Sequence, residues 1–297
     1  MSVKIRFISI IMLFLIAGNY SSSQAQLEDL ITRYAGENGE EYVKPLITAF
    51  GANLNSGLYR SAHVPKIGLH FNIALNGMVA VFSDDQRTFT ATTTGYFYPL
   101  DEVETSTVVG DPEGATVTSP SGAEYVFPGG YDMKSFMIAA PTITVGSIFG
   151  TEASLRYFKA TLSEDIGDLT LLGLGIRHSL SQYIPLSPLD IAAGFFYHQF
   201  KISDIVKSNV TSIHAEVGKS FPVINLYGGM AYETNKATLD YTFDTGIETA
   251  DVSLDVSGEN KFRVILGVGF NFTLLHINLD YNIGQQQVLN AGLSIGL

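Results

Sequence analysis

The residues of this chain that can do chemistry are isolated charged and histidine side chains, each on the small, polar side of an alternating segment. In a closed sheet such side chains meet inside, where they form ion pairs that brace the wall or hold a plug. Acids and bases are nearly balanced in this set, so it predicts no strong ion selectivity. The candidates for a lumen-facing position are Lys66, His70, Glu152, Arg156, Arg177, Asp190, His214, Glu216, Arg263, His276 and Asp280.

The spacing of these residues matches no enzyme or metal motif. No two histidines stand at helical metal-ligand spacing, and no Gly-x-Ser-x-Gly motif or calcium-loop pattern is present. His214 lies two residues from Glu216, which fits either a hydrogen-bonded lumen histidine or a proton-linked gate. The sequence therefore predicts no catalytic residue, no metal and no cofactor, and a protein that is not an enzyme.

Composition narrows the function classes further. Lys+Arg number 17 against 29 Asp+Glu, which argues against a nucleic-acid partner. The absence of Cys excludes disulfides and thiolate metal sites. Acidic residues concentrate in segments 101–132 and 233–260. They indicate either a hydrated surface or divalent-cation bridging to lipopolysaccharide.

The N-terminal residues resemble a secretory signal. Lys4 and Arg6 precede an apolar run from Phe7 to Ala17, and Ser23-Gln24-Ala25 has the form of a signal-peptidase site. Residues 1–25 are therefore predicted to be a signal peptide. Residues 26–53 have helical rather than alternating periodicity, and they are predicted to form either a periplasmic helical segment or a plug.

Residues 54–297 alternate between bulky apolar and small or polar residues, most cleanly over 67–81, 262–272, 275–283 and 289–297. Several segments exceed the 5–6 residues usual for strands of soluble proteins, and about 9–11 residues cross an outer membrane. The predicted fold is all-β: a transmembrane outer-membrane β-barrel of 12–14 antiparallel strands, located in the cell outer membrane. The count is 14 if 237–243 and 252–256 cross the membrane and 12 if they form a hairpin outside it. Pro141 interrupts one segment and predicts a bulge.

Three stretches carry a resemblance to a known family. They are Leu46 to Tyr59, Val145 to Glu152 and Gly173 to Pro185. They resemble an uncharacterised Bacteroidota family of outer-membrane β-barrels, a domain of unknown function without an assigned activity. More coarsely, the plan resembles the long-chain fatty-acid transporter family, which implies 14 strands and an N-terminal plug. No binding residue of that family matches this chain position by position.

Two functions are compatible with this plan. The first is passive transport of small apolar molecules, which requires a continuous apolar cavity and makes a small apolar ligand a candidate partner. The second is a non-transporting surface or scaffold protein acting through its acidic extracellular loops. Expected partners in either case are outer-membrane lipid and lipopolysaccharide and the barrel-assembly machinery.

Overall fold

A computed structural model describes residues 37–93, 102–163, 167–244 and 249–296. One helix, α1, precedes fifteen strands in these ranges. The predicted signal peptide, residues 1–25, lies outside the described residues. The elements are α1 (Glu37–Leu54), β1 (His70–Val81), β2 (Thr88–Thr92), β3 (Glu102–Ser106), β4 (Thr116–Thr118), β5 (Glu124–Val126), β6 (Ser135–Ile148), β7 (Thr151–Ser163), β8 (Gly167–Ser179), β9 (Asp190–Ile202), β10 (Val206–Ser220), β11 (Ile224–Asp244), β12 (Thr249–Ser257), β13 (Phe262–Phe272), β14 (Leu275–Gly284) and β15 (Gln287–Gly296).

Ten strands form a closed antiparallel barrel, in the order β1, β6, β7, β8, β9, β10, β11, β13, β14 and β15. The last strand returns to the first, with Asn72 opposite Gly296 and Val81 opposite Gln287. The predicted transmembrane β-barrel is confirmed, but the wall contains ten strands rather than 12 to 14. It begins at His70 and not at residue 54.

Two features contribute to the lower strand count. Strand β11 runs for 21 residues; its first half pairs with β13, and its second half continues past the barrel rim and pairs with β12. Residues 237–243 and 252–256 therefore belong to a hairpin outside the wall. The Thr-rich segment 86–98 contributes β2, which pairs only with β3 in a separate two-stranded sheet.

The barrel is apolar outside and polar inside. On β14, Leu279 is 47% exposed, whereas the neighbouring Asn278 is 3% exposed. A closed sheet that pairs its backbone within the wall and turns its apolar side chains outward is the architecture that crosses the bacterial outer membrane. The protein is accordingly an outer-membrane protein. No helix among the described residues is both long enough and apolar enough to span a membrane.

The two ends of the barrel differ. Connections 149–150, 221–223 and 273–274 lie at one end, where β15 also finishes. The other end carries the long connection 82–134 and the β11–β12 hairpin. Because outer-membrane barrels have short periplasmic turns and longer outer loops, we call these the periplasmic and extracellular ends.

An extracellular layer, formed in the described part of the chain by residues 82–93 and 102–134, covers one end of the lumen. Its buried centre is Arg87, which donates to the carbonyl oxygens of Val109 (3.1 Å) and Met133 (3.0 Å). The same guanidinium binds the carboxylates of Asp111 and Asp132. Hydrogen bonds from Lys134 and from Arg87 hold the pKa of Asp132 below its usual range.

Pro141 does not form the predicted bulge, because the register between β1 and β6 runs unbroken through Leu75 opposite Pro141. The irregularity lies instead between Gly146 and Ile148. Pro141 marks a different feature: β6 and β7 pair only from the Thr142–Arg156 pair toward the periplasmic end. Proline cannot donate to a ladder, and the pairing ends at this residue.

Candidate functional site

The lumen is occupied by the chain's own N-terminal part. Helix α1 starts in the extracellular layer, where Tyr42 accepts a backbone hydrogen bond from Val108 (2.9 Å). Deeper inside, Asn53 Nδ2 donates to the carbonyl of Phe136 at 2.9 Å. Residues 55–69, which we call the lumenal segment, continue to the periplasmic end, where β1 begins. The chain thus passes through its own barrel before building the wall.

Two arginines from different strands hold the C-terminal end of α1. Arg263 on β13 donates to the carbonyls of Ala52 (2.8 Å) and Asn55 (3.1 Å). Arg156 on β7 donates to the carbonyls of Leu54 (2.8 Å) and Gly57 (2.8 Å). The last carbonyls of a helix lack intrahelical partners and carry partial negative charge, so buried guanidinium groups cap them well.

These two arginines differ in how their charge is balanced. Arg263 forms a buried ion pair with Glu233, with Nη2 3.0 Å from Oε1. Arg156 has no carboxylate within ion-pair distance among the described residues and relies on helix-end carbonyls and Thr142 Oγ1. The charge of Arg156 is therefore directed at the backbone of the plug.

A third arginine anchors the far end of the lumenal segment. Arg177 on β8 donates to the carbonyl of Ser61 at 2.6 Å. Its guanidinium lies between Glu216 (Nε to Oε1, 2.7 Å) and Glu152 (Nη1 to Oε1, 2.5 Å). His214 approaches Glu216 at 3.1 Å, and His70 approaches Glu152 at the same distance. Five of the predicted lumen residues thus form one cluster.

Asp280 forms a separate site with amide neighbours. Its carboxylate accepts from Asn290 Nδ2 and from Asn282 Nδ2, each at 2.6 Å, and from Tyr227 Oη at 3.3 Å. No described arginine or lysine lies within ion-pair distance. This carboxylate is stabilised by several hydrogen-bond donors in place of a counter-charge.

The remaining predicted residues lie near the periplasmic end. Asp190 pairs with His63 at 2.8 Å, and His276 Nδ1 lies 2.9 Å from Asn271 Oδ1. Lys66 does not belong to a strand; it is exposed in the lumenal segment. Lys66 was predicted to face the lumen because the alternating pattern was extended upstream of His70, where the first wall strand begins.

The sequence prediction missed two asparagine side chains that join the plug to the wall. Asn235 Nδ2 donates to the carbonyl of Ile47 at 2.6 Å, and Asn55 Nδ2 donates to the carbonyl of Thr211 at 3.1 Å. For Asn235, the available signal was an asparagine on the polar face of a strand. Its partners are backbone atoms of a distant segment, which no local pattern reveals.

A cavity of about 390 Å³ lies at the periplasmic end of the lumen. The lumenal segment from Gly57 to Ser61 contributes to its lining. Amide and hydroxyl side chains dominate the rest, including Asn72, Asn225 and Asn278. It is not the continuous apolar cavity that uptake of apolar molecules would need.

The extracellular half of the lumen is apolar instead. Phe50 of α1 lies 4.5 Å from Phe200 and 6.4 Å from Phe136, measured between ring centroids. Ile138 and Phe158 are partly buried against the same cluster. These side chains lie beside the stretches of β6 and β7 that do not pair with each other. No group of three or more metal-ligating side chains occurs in the part of the chain that the structure describes.

Comparisons with known proteins give a family. A model described as a family of unknown function (DUF6588) matches residues 2–297. No curated protein sequence matches the chain significantly.

Solved structures with similarity include OmpT, an outer membrane protein of Vibrio cholerae, at 13% identity and a TM-score of 0.29, covering 77% of this chain and 99% of that one. An outer membrane channel from Pseudomonas putida F1 has 8% identity, covers 82% and 99%, and has a TM-score of 0.28. A Pseudomonas aeruginosa FadL homologue has 8% identity, covers 84% and 96%, and has a TM-score of 0.25. No substrate can be transferred at these values.

Proposed function

The chain belongs to the DUF6588 family of unknown function, and we propose that it is a plugged, non-conducting outer-membrane barrel that supports a surface layer. The observation that carries this proposal is the attachment of the plug. Arg156, Arg177 and Arg263 come from three strands and donate to six backbone carbonyl groups between Ala52 and Ser61. Because these side chains hold the plug, we assign them no catalytic step.

The extracellular side fits the scaffold role. Residues 82–93 and 102–134 make their own small sheets and pack on α1, and the β11–β12 hairpin stands above the rim. These elements contain most of the two acidic segments of the sequence. A negative, folded surface mounted on a blocked barrel suits contact with a partner outside the cell, either directly or through divalent cations.

Conductance and liposome swelling with the refolded full chain test the blocked lumen. We expect no conductance from the native protein. The double variant Arg156→Ala/Arg263→Ala should give channel events, because the helix end then loses both caps. Steady conductance of the native protein would contradict the proposal. Lys261→Ala, which removes an exposed charge next to the same strand, is the matched control.

Passive transport of small apolar molecules is the second candidate, and a specific observation favours it. Strands β6 and β7 do not pair with each other along Ser135–Pro141 and residues 157–163, and this opening between them flanks the apolar cluster around Phe50. The Lys159–Asp168 ion pair on this part of the wall indicates that the opening lies at or above the outer membrane interface. An apolar molecule would enter here and would have to displace α1.

Uptake of a small aromatic hydrocarbon into proteoliposomes separates the two functions. Transport predicts uptake by the native chain that falls when Phe158→Glu places a charge in the opening. The scaffold proposal predicts uptake no faster than in protein-free liposomes. A Phe221→Glu variant, altered at the exposed periplasmic end, controls for a general effect of the charge.

A further inference from the structure

The periplasmic cavity has the chemistry of a ligand site that the scaffold function does not use. Its residues come from the lumenal segment and from strands around the barrel, so the site exists only in the closed, plugged form. Its volume of about 390 Å³ is within the range of small-molecule sites. In the part of the chain that the structure describes, the plug lies between this cavity and the extracellular end. A ligand would therefore enter from the periplasm.

One positive charge in this cavity forms no ion pair with any residue that the structure describes. Arg177 is matched by Glu152 and Glu216. Arg60, which also lines the cavity, has no carboxylate within ion-pair distance among the described residues. Its polar side-chain contact is with Asn271 Oδ1, at 3.4 Å. A largely enclosed guanidinium with free donors is a strong site for an oxyanion, because charge-assisted hydrogen bonds offset its desolvation.

Glu152 also lines the cavity, but its carboxylate is paired with Arg177, and most of the other polar lining groups are neutral. Asn72, Asn76 and Asn278 offer amide donors and acceptors, and Thr144 and Ser294 offer hydroxyl groups. Several lining residues also have polar atoms that are buried without a partner among the described residues: Tyr59 Oη, His70 Nδ1, Asn72 Nδ2, Asn225 Oδ1 and Ser294 Oγ. A buried polar group without a hydrogen-bond partner is destabilising, which favours occupation of the cavity by polar groups.

We propose that the periplasmic cavity binds a small hydroxylated molecule carrying one oxyanion, such as a sugar acid or a sugar phosphate. The oxyanion binds Arg60, and the hydroxyl groups bind the asparagine side chains. An uncharged sugar would leave Arg60 unpaired, and a bare anion would leave the amides unpaired. The ligand therefore needs both parts.

Calorimetric titration of the refolded full chain with D-glucuronate tests the site, with glucose 6-phosphate to compare the two oxyanions. Glucuronate or glucose 6-phosphate should bind at least ten times more tightly than D-glucose and than inorganic phosphate. Arg60→Gln should weaken binding at least tenfold, and Asn72→Ala should weaken it by a smaller factor. Lys66→Gln removes an exposed positive charge from the same segment and should leave affinity unchanged.

Heat-modifiable migration in electrophoresis confirms that each variant is folded. Arg60→Lys keeps the charge, and it should bind more tightly than Arg60→Gln if the oxyanion is recognised at this position. The proposal is overturned if none of the sugar acids or phosphates binds the native chain. Equal binding by folded Arg60→Gln, or equal binding of inorganic phosphate and glucuronate, overturns it as well.

Discussion

Arg263→Ala is the most informative single change to the plug. Arg263 is buried and donates to Ala52, Asn55 and Ser56 of the plug region and to Asn282 of the wall. Its truncation also leaves Glu233 buried with Asn260 as its remaining side-chain donor. Removing one partner of a buried ion pair costs about 3–5 kcal/mol.

We expect the free energy of unfolding to fall by about 3–5 kcal/mol, because the unpaired carboxylate and the uncapped helix end act together. That is roughly two to four orders of magnitude in the folding equilibrium constant. Urea unfolding of the refolded protein in lipid vesicles, followed by electrophoretic migration, measures it. Lys261→Ala, as the control, should change stability by less than about 0.5 kcal/mol.

A second variant tests the cause of the loss. In Arg263→Ala/Glu233→Gln the buried carboxylate becomes a neutral amide, so part of the lost stability should return. If Arg263→Ala alone stays within about 1 kcal/mol of the native protein, the wall does not hold the plug through this residue and the reasoning fails. If the double variant is no more stable than the single one, the buried charge of Glu233 is not the cause.

Three further predictions follow from the same structure. The chain has no cysteine, so Glu37→Cys should react with a membrane-impermeant maleimide on intact cells, whereas Lys66→Cys should react only after the outer membrane is opened; the reverse pattern would invert the assigned orientation. The lowered pKa of Asp132 means that its contribution is complete above the unfolded pKa of about 3.9 and is lost as pH falls through the lower folded value. Protease cleavage within residues 82–134 should therefore rise below about pH 4, and less so in Asp132→Asn. Gly57 has φ of +60° beside Asn290, so Gly57→Ala should cost about 1–2 kcal/mol in urea unfolding, and an unchanged midpoint would contradict this strain.

Alternation predicted the wall strands well where both faces are uniform. The predicted segments 275–283 and 289–297 correspond to β14 and β15, because lipid selects one face and the lumen the other. The same rule failed at Lys66, which precedes the first wall strand. The Thr-rich segment 86–98 does not alternate clearly; its composition is compatible with any exposed sheet, and it contributes β2 to a sheet outside the wall.

The stretch Thr234-Asn235-Lys236 shows why other features could not be predicted from the sequence. Asparagine and its neighbours resemble a turn, yet β11 continues through them. Asn235 instead donates to the carbonyl of Ile47 and accepts from the hydroxyl of Ser208. The contacts of Arg156 and Arg263 are of the same kind. Sequence placed these side chains on the lumen face, but their acceptors are carbonyl groups, which every residue carries.

The passage of the chain through its own barrel constrains how the protein can be assembled. The ring closes where β1 meets β15, so the first wall strand must wait for the last one to be available. The segment inside is covalently joined to β1 and has folded extracellular elements packed on its other side. A ring completed first would have to admit this segment end-on. Closure around a segment already in place avoids that step, so we expect the plug to be positioned before β1 and β15 pair.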